Sequence, residues 1–174
     1  MRIAILTISD RASRGEYEDL SGPATEAWLR RAIVSDWTPL RRIVADGREA
    51  VRDALVDLCD REGVDMVLTS GGTGPAPRDL TPEAMREVME KELPGFGELM
   101  RRISLEQVPT AILSRQTAGI RGKTLIVNLP GRPSAIDVCL RAVFPAIPYC
   151  LDLIGAGRIE TDPQLVAAFR PGSK

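Results

Sequence analysis

The hydrophobic positions of this chain form two patterns, short apolar runs and longer stretches with helical spacing. Residues 2–9 and 124–129 are almost continuously apolar, which is typical of strands that are buried on both faces. Residues 40–45 and 65–70 predict two further strands. Polar or glycine-containing residues follow each of the four runs, so we expect a loop after every strand.

Helical patterns separate these strands. Between residues 51 and 59, apolar residues recur at positions i, i+3, i+4, i+7 and i+8, which predicts an amphipathic helix that ends near Gly63. Thr81 is predicted to be an N-cap, with Pro82 in the first helical position. The other predicted helices are residues 22–34, a helix ending before Pro94, residues 96–106, a helical region from residue 133 interrupted by Pro145 and Pro148, and a short C-terminal helix from Pro163.

Strands that alternate with helices of these lengths predict βαβ units. The expected fold is therefore a three-layer α/β/α domain, with a mainly parallel sheet between two helical layers. No repeat or linker interrupts the chain, so residues 1–174 are predicted to form a single domain. In such sheets ligands bind at the carboxyl ends of the strands, where we expect the functional residues.

Composition narrows the possible chemistry. The formal net charge is −1 and only 4% of the residues are aromatic, which argues against a nucleic-acid partner. There is no histidine, so a mechanism that needs an imidazole base or ligand is excluded. The three cysteines lack CxxC spacing and are expected to be buried free thiols. With neither a signal peptide nor a membrane span predicted, we expect a cytoplasmic protein.

The strongest local feature is the glycine-rich segment 69–79, which lies between a predicted buried strand and a helix. Ser70, Gly71, Gly72, Thr73 and Gly74 could turn successive backbone N–H groups toward one phosphate. The segment lacks the Gly-Lys-Ser/Thr of a P-loop and the last glycine of GxGxxG. A tight turn that requires glycine is an equally open interpretation.

Carboxylates follow two of the predicted strands. Asp46 ends the second strand and Asp79 closes the glycine-rich segment, so both are expected at one edge of the sheet. Mg²⁺ is usually held by one or two carboxylates together with substrate oxygens and water. Ser9 and Asp10, after the first strand, could contribute to the same edge. Ordinary helix caps and solvated loop residues remain the alternative for all of them.

A further group of polar residues lies in the second half of the chain. Arg115 could bind a second phosphate through its guanidinium group, although a solvated loop cation is the alternative. The candidates in this half of the chain are Ser114, Arg115, Asn128, Pro130 and Gly131.

Six segments distributed along nearly the whole chain carry a family resemblance. They are TISDRAS at 7–13, SGGTG with RDLTP at 70–82, PGFGE at 94–98, PTAILSR at 109–115, NLPGRP at 128–133 and VAAFRP at 166–171. With these motifs the chain resembles the molybdopterin adenylyltransferase family, the MogA/MoaB-type proteins of molybdenum cofactor synthesis, and is closer to the MogA branch. The resemblance implies the MogA-like molybdopterin-binding fold and a homotrimer.

The resemblance also implies an activity: Mg²⁺-dependent transfer of AMP from ATP to the terminal phosphate of molybdopterin, with release of pyrophosphate. The product would pass to a separate molybdenum-insertion protein. Asp46 and Asp79 match the two essential acidic positions of the family and would hold Mg²⁺. The other candidates match its nucleotide- and molybdopterin-binding segments. Two alternatives stay open: a non-catalytic molybdopterin-binding or scaffold protein, and a hydrolase or kinase acting on another nucleotide.

Overall fold

A computed structural model describes residues 1–172 of the chain. Its centre is a six-stranded sheet with the order β2-β1-β3-β6-β5-β4. The first four strands in this order are parallel, whereas β5 and β4 add an antiparallel edge. The strands are β1 (Arg2–Ile8), β2 (Thr38–Val44), β3 (Met66–Ser70), β4 (Lys91–Glu92), β5 (Ala118–Arg121) and β6 (Thr124–Leu129).

Helices cover both faces of the sheet, which confirms the predicted three-layer α/β/α class. They are α1 (Asp10–Ser13), α2 (Ser21–Ala32), α3 (Arg48–Val56), α4 (Thr81–Val88), α5 (Pro94–Leu105), α6 (Pro133–Val143) and α7 (Ile147–Ile154). A π-helical turn at Asp57–Arg61 continues α3, and 3₁₀ turns occupy Pro109–Leu113 and Phe144–Ala146. The prolines at 145 and 148 accordingly interrupt the last helical region, as predicted.

One hydrophobic core lies on each side of the sheet. Trp28 of α2 meets Phe144 edge to face at 4.9 Å in the larger core, which α2, α5, α6 and α7 cover. The smaller core lies beneath α3 and α4. The three cysteines are unpaired, and burial raises the pKa of the Cys59 thiol to about 11. Cys139 is buried as predicted, whereas Cys59 and Cys150 are only half-buried and pack against the edges of the cores.

The stretch Pro133–Ile154 is, within residues 1–172, the one helical segment long and apolar enough to span a membrane. Most of its large apolar side chains, however, lie in the larger core, although Leu153 is 67% exposed. Ile136, Leu140, Phe144 and Leu151 are all 1% exposed or less. The apolar character of this segment is thus explained by its position in the interior of the domain.

Two local predictions were wrong. Thr81 is already inside α4, and its hydroxyl donates to the carbonyl of Gly71 at 3.1 Å instead of capping the helix. Pro163 begins a turn and not a helix. The segment after it is fixed by tertiary contacts, since the backbone N–H of Phe169 donates to Pro145 and the guanidinium of Arg170 pairs with Asp152.

The antiparallel edge was not predicted. Gly119 interrupts the short strand β5, and a Cβ atom at this position would lie 2.0 Å from the sulfur of Met89. Residue 119 must therefore be glycine to pack against Met89, although a glycine at this position weakens the strand pattern in the sequence. Gly122, with φ of +54°, makes the tight turn between β5 and β6.

Candidate active site

The carboxyl ends of the parallel strands meet at one edge of the sheet. Ile8 of β1 pairs with Val44 of β2, Thr7 pairs with Ser70 of β3, and Ser70 pairs with Leu129 of β6. The loops that follow these strand ends surround a cleft of about 460 Å³, called the first cleft below. Among the predicted site residues, Ser9, Asp10, Asp46, Ser70, Gly71, Gly72, Asp79 and Gly131 line it.

Asp46 and Asp10 fix each other across the ends of β1 and β2. The backbone N–H of Asp10 donates to Oδ2 of Asp46 at 2.9 Å, and the backbone N–H of Asp46 donates to Oδ1 of Asp10 at 3.1 Å. One oxygen of each carboxylate thus accepts a hydrogen bond from a backbone N–H group. The arrangement orients Asp46 and leaves its second oxygen available to a ligand in the cleft.

The glycine-rich segment makes a tight turn and lines the first cleft as well. Gly71 has φ of +107°, and a Cβ atom there would lie 2.2 Å from the carbonyl oxygen of Ile8. Gly72 has φ of +62°, and its Cβ would meet the Thr81 hydroxyl at 2.2 Å. Both positions therefore require glycine for the turn itself. Neither Thr73 nor Gly74 lines the cleft.

Asp79 is held at the end of this segment. Its Oδ2 accepts from the backbone N–H of Ala76 at 3.1 Å, and its own N–H donates to the Ala76 carbonyl at 2.9 Å. A Cβ atom at Gly74 would lie 2.7 Å from Oδ2 of Asp79. A Cβ atom at residue 74 would therefore force the carboxylate of Asp79 to move from this position.

Two buried polar residues lie beneath the strand ends. Ser70 is 2% exposed, and its hydroxyl has no partner within the described part of the chain although the residue lines the first cleft. Asn128 is fully buried and lines neither of the two clefts described here; its amide donates to the Thr69 hydroxyl at 2.8 Å. Ser70 is thus placed to meet a ligand, whereas Asn128 joins β6 to β3.

Asp19 lines the first cleft and was not among the predicted site residues. Its Oδ1 accepts from the N–H groups of Ser21 and Gly22 at 3.0 Å, and its Oδ2 accepts from the Thr7 hydroxyl, also at 3.0 Å. Asp19 thereby caps the start of α2 and ties it to β1. An aspartate two residues before Ser-Gly-Pro was the signal for such a cap.

Tyr17 was also missed. It is 48% exposed, lines the first cleft, and lies against the guanidinium of Arg11, whose carbon is 4.9 Å from the ring centroid. Planar aromatic and guanidinium groups are suited to stacking on a flat ligand ring. Tyr17 is the one aromatic side chain among the described residues that line this cleft.

Opposing charges line the first cleft. Four aspartates face three arginines, the latter being Arg11, Arg78 and Arg132. A polyphosphate would therefore meet carboxylates as well as cations. Within residues 1–172, three or more metal-binding side chains do not cluster anywhere. An oxygen donor set of one or two carboxylates fits Mg²⁺, because this ion keeps several waters and takes further oxygens from substrate phosphates.

A second cleft of about 360 Å³ adjoins the first and shares Gly131 and Arg132 with it. Ser114 and Pro130, which were predicted to be site residues, line this second cleft. Polar side chains of Arg101, Ser104, Gln107 and Gln116 contribute to the same wall. Arg115 lines neither cleft; its contacts are described below. Most of the predicted residues are thus divided between two clefts, whereas Thr73, Gly74, Arg115 and Asn128 line neither.

Comparison with known proteins gives consistent matches over nearly the full length. The family model described as a probable molybdopterin binding domain matches residues 4–149. A molybdopterin adenylyltransferase from Helicobacter pylori is 54% identical over 171 residues, covering 98% of this chain and 97% of the relative. The molybdopterin adenylyltransferase of Escherichia coli K12 is 45% identical over 185 residues, covering 99% and 95%.

Solved structures are similar to the fold as well. The molybdopterin biosynthesis enzyme MoaB from Thermus thermophilus superposes with a TM-score of 0.82 at 42% identity, covering 91% of this chain and 99% of that chain. The Mog protein of Mycobacterium ulcerans gives a TM-score of 0.81 at 39% identity, covering 87% and 97%.

Proposed function

This chain belongs to the molybdopterin adenylyltransferase family of molybdenum cofactor biosynthesis, and from that premise we propose how its two clefts carry out the adenylylation. ATP donates AMP to the terminal phosphate of molybdopterin, giving adenylylated molybdopterin and pyrophosphate. The observation that carries the proposal is the placement of Asp46, Asp79, Ser70 and the Gly71–Gly72 turn around one cleft.

In the proposed reaction, an oxygen of the molybdopterin phosphate attacks the α-phosphorus of ATP. The new P–O bond forms as the bond between the α-phosphorus and the bridging oxygen to the β-phosphate breaks, and pyrophosphate leaves with that electron pair. Bound Mg²⁺ would neutralise charge on the phosphates. The carboxylates of Asp46 and Asp79 would hold it. Ser70, whose buried hydroxyl has no partner within the described part of the chain, lines the same cleft.

The arginines of the first cleft supply the remaining positive charge. Arg78 and Arg132 make no ion pair with any residue in the described part of the chain, so their guanidinium groups are available for phosphate oxygens. No imidazole exists in the sequence, and the cysteines are packing residues. Rate acceleration must therefore come from alignment of the two phosphates and from charge neutralisation.

We assign the nucleotide phosphates to the first cleft and the pterin to the second. The first cleft contains the carboxylates and the glycine turn. The second offers hydroxyl and amide groups of Ser104, Ser114, Gln107 and Gln116, which suit the hydrogen-bonding edges of a pterin ring. The two compartments share Gly131 and Arg132, where the molybdopterin phosphate and the α-phosphate would meet.

Pyrophosphate release tests this proposal. The native protein is mixed with ATP, Mg²⁺ and molybdopterin, and each component is omitted in turn. Asp79→Asn keeps the shape of the side chain but removes its charge, and is expected to abolish release while molybdopterin binding persists. The matched control is Asp53→Asn on the exposed face of α3, away from both clefts, which should leave the rate unchanged.

The alternatives give different outcomes in the same assay. A scaffold protein would bind molybdopterin tightly and release no pyrophosphate. A hydrolase or kinase would turn over ATP without any pterin. Adenylylation predicts release that requires ATP and molybdopterin together.

We further propose that the protein works as a homotrimer in the cytoplasm and passes its product to a molybdenum-insertion protein. Leu105, Val108, Ile112 and Leu113 are all at least 40% exposed and lie within one stretch of chain, which supports an interface between copies. Size-exclusion chromatography with light scattering should give three times the 19.0 kDa chain mass.

A further inference from the structure

Arg115 directs its guanidinium group into the glycine-rich segment. Its Nε donates to the carbonyl of Gly74 at 3.0 Å, and its Nη2 donates to the carbonyl of Asp79. Its Nη1 forms an ion pair with Glu83 of α4. The backbone N–H of Arg115 also donates to the carbonyl of Thr73, at 2.8 Å. The side chain therefore binds the beginning and the end of the loop 74–79.

This loop has little else to hold it. Residues 75–78 are exposed and none of them belongs to either hydrophobic core. Within residues 1–172, Asp79 has only local hydrogen bonds to Ala76 besides the contact from Arg115. The position of the Asp79 carboxylate relative to the strand ends thus depends on a side chain that approaches from another part of the fold.

Glu83 holds Arg115 in place. Partial burial acts to raise the pKa of Glu83, but the hydrogen bond and charge of Arg115, aided by Arg86, outweigh it and lower the pKa below its usual value. The ion pair therefore persists at neutral pH. Because a guanidinium group offers several donors in a rigid plane, it can serve both carbonyls and the carboxylate at once, which a lysine cannot.

The residues on either side of Arg115 face the second cleft. Ser114 and Gln116 line its wall, and the Ser114 hydroxyl donates to Oε1 of Gln116 at 2.6 Å. One short segment thus contributes to the wall of the second cleft and, through Arg115, fixes the loop that carries Asp79 into the first cleft.

We propose that Arg115 is a positioning residue that clamps the loop 74–79 and thereby aims Asp79 at the nucleotide phosphates. It acts through backbone carbonyls and touches neither substrate. The inference rests on the proposed function, since it takes the reacting phosphates to lie beside Asp79. It changes the role expected for Arg115 from a phosphate ligand to a support of the loop.

The test uses Arg115→Lys, which keeps the charge facing Glu83 but loses the planar fork. We expect kcat to fall about 10- to 100-fold, because a catalytic group displaced by about 1 Å costs up to this much. The KM for molybdopterin should stay within about twofold of the native value, since Arg115 does not bind it. The Mg²⁺ concentration that gives half-maximal rate should rise.

Arg121→Lys is the matched control. Arg121 makes a similar clamp, with two hydrogen bonds to Asp60 and one to the carbonyl of Val88, but it lines neither cleft. Its replacement should cost stability without changing kcat. If Arg115→Lys does not fold, Glu83→Gln removes the anchor of the clamp and takes its place in every measurement.

Amide hydrogen exchange gives a readout that does not depend on activity. Residues 75 and 77 are prolines and carry no amide hydrogen, so the readout is the backbone N–H groups of Ala76 and Asp79, which are hydrogen-bonded within the loop. These amides should exchange at least about tenfold faster in Arg115→Lys than in the native protein, and Arg121→Lys should leave them unchanged. Unchanged exchange in this loop would overturn the clamp, as would a raised KM for molybdopterin at native kcat. A native protein that releases no pyrophosphate would refute the proposed function, while the exchange experiment would still decide whether the clamp exists.

Discussion

Replacing Gly71 by alanine tests whether the glycine-rich segment is a tight turn, a phosphate-binding surface, or both. Gly71 combines φ of +107° with a position where a Cβ atom would lie 2.2 Å from the Ile8 carbonyl oxygen. Two other glycines serve as controls that separate the cost of the positive φ from the cost of the close contact. Gly122 has φ of +54° and open space around it, whereas Gly131 has no positive φ and its nearest neighbour would be 3.5 Å away.

The expected cost follows from these geometries. A left-handed conformation costs a non-glycine residue about 1–2 kcal/mol, and this is the whole effect expected for Gly122→Ala. Gly71→Ala must in addition displace the carboxyl end of β1. Overpacking of this kind typically destabilises a protein by a further 1–3 kcal/mol or so. Gly131→Ala should change the free energy of unfolding by less than about 0.5 kcal/mol.

Thermal unfolding and pyrophosphate release are measured on all three variants. At about 2–4 °C per kcal/mol for a protein of this size, Gly71→Ala should lower the Tm by roughly 4–20 °C and Gly122→Ala by roughly 2–8 °C. Gly131→Ala should keep its Tm but lose activity if the backbone must approach a phosphate there. Equal Tm losses for Gly71→Ala and Gly122→Ala would refute the close contact with Ile8.

Three further predictions concern side chains near the first cleft. Asp46→Asn should lower the rate of pyrophosphate release at least about 100-fold with little change in Tm, because the amide oxygen can still accept from the Asp10 backbone while the charge is lost. Tyr17→Ala should raise the KM for ATP about 5- to 100-fold, because stacking of a base on an aromatic ring contributes about 1–3 kcal/mol. Tyr17→Phe keeps the ring and should keep the native KM. Inorganic triphosphate has no base, so both variants should bind it equally in calorimetry. Glu83 has a lowered pKa in the folded protein, so its ion pair stabilises the fold above the ordinary carboxyl pKa of about 4.3 and the effect is lost as the pH falls through the folded pKa. The Tm difference between native protein and Glu83→Gln should therefore shrink between pH 7 and pH 3, and a constant difference would contradict the ion pair.

The fold was predictable where each pattern is explained by local burial. The runs at β1, β3 and β6 are buried on both faces, so their composition alone indicates strands. The pattern fails where a distant partner decides the structure. Residue 119 must be glycine because the side chain of Met89, on another segment, packs closely against it. The hydroxyl of Thr81 donates to the carbonyl of Gly71 and is therefore not a helix cap. Neither contact leaves a signal within a few residues of the site.

The position of the candidate site was predictable because the carboxyl ends of the parallel strands lie at one edge of the sheet. Asp46 and Asp79 follow parallel strands, and the register of the sheet brings their loops to the same cleft. Arg115 shows where such reasoning stops. The sequence around a loop arginine does not show whether its guanidinium group binds a substrate phosphate or a backbone carbonyl. Here the positions of the Gly74 and Asp79 carbonyls distinguish the two roles.

The charged residues in and near the first cleft differ in how many of their side-chain polar atoms already make hydrogen bonds within the protein. Asp19 gives both carboxylate oxygens to helix capping and to Thr7, while Asp10 gives one oxygen to the backbone of Asp46. Arg115 gives its guanidinium group to the loop and to Glu83. Asp46 and Asp79, like Asp10, each keep one oxygen beyond a single hydrogen bond from the backbone. Because the chain has no histidine, we expect Asp46 and Asp79, each fixed by a hydrogen bond from the backbone, to act as rigid charges that need no reorganisation when the phosphates react.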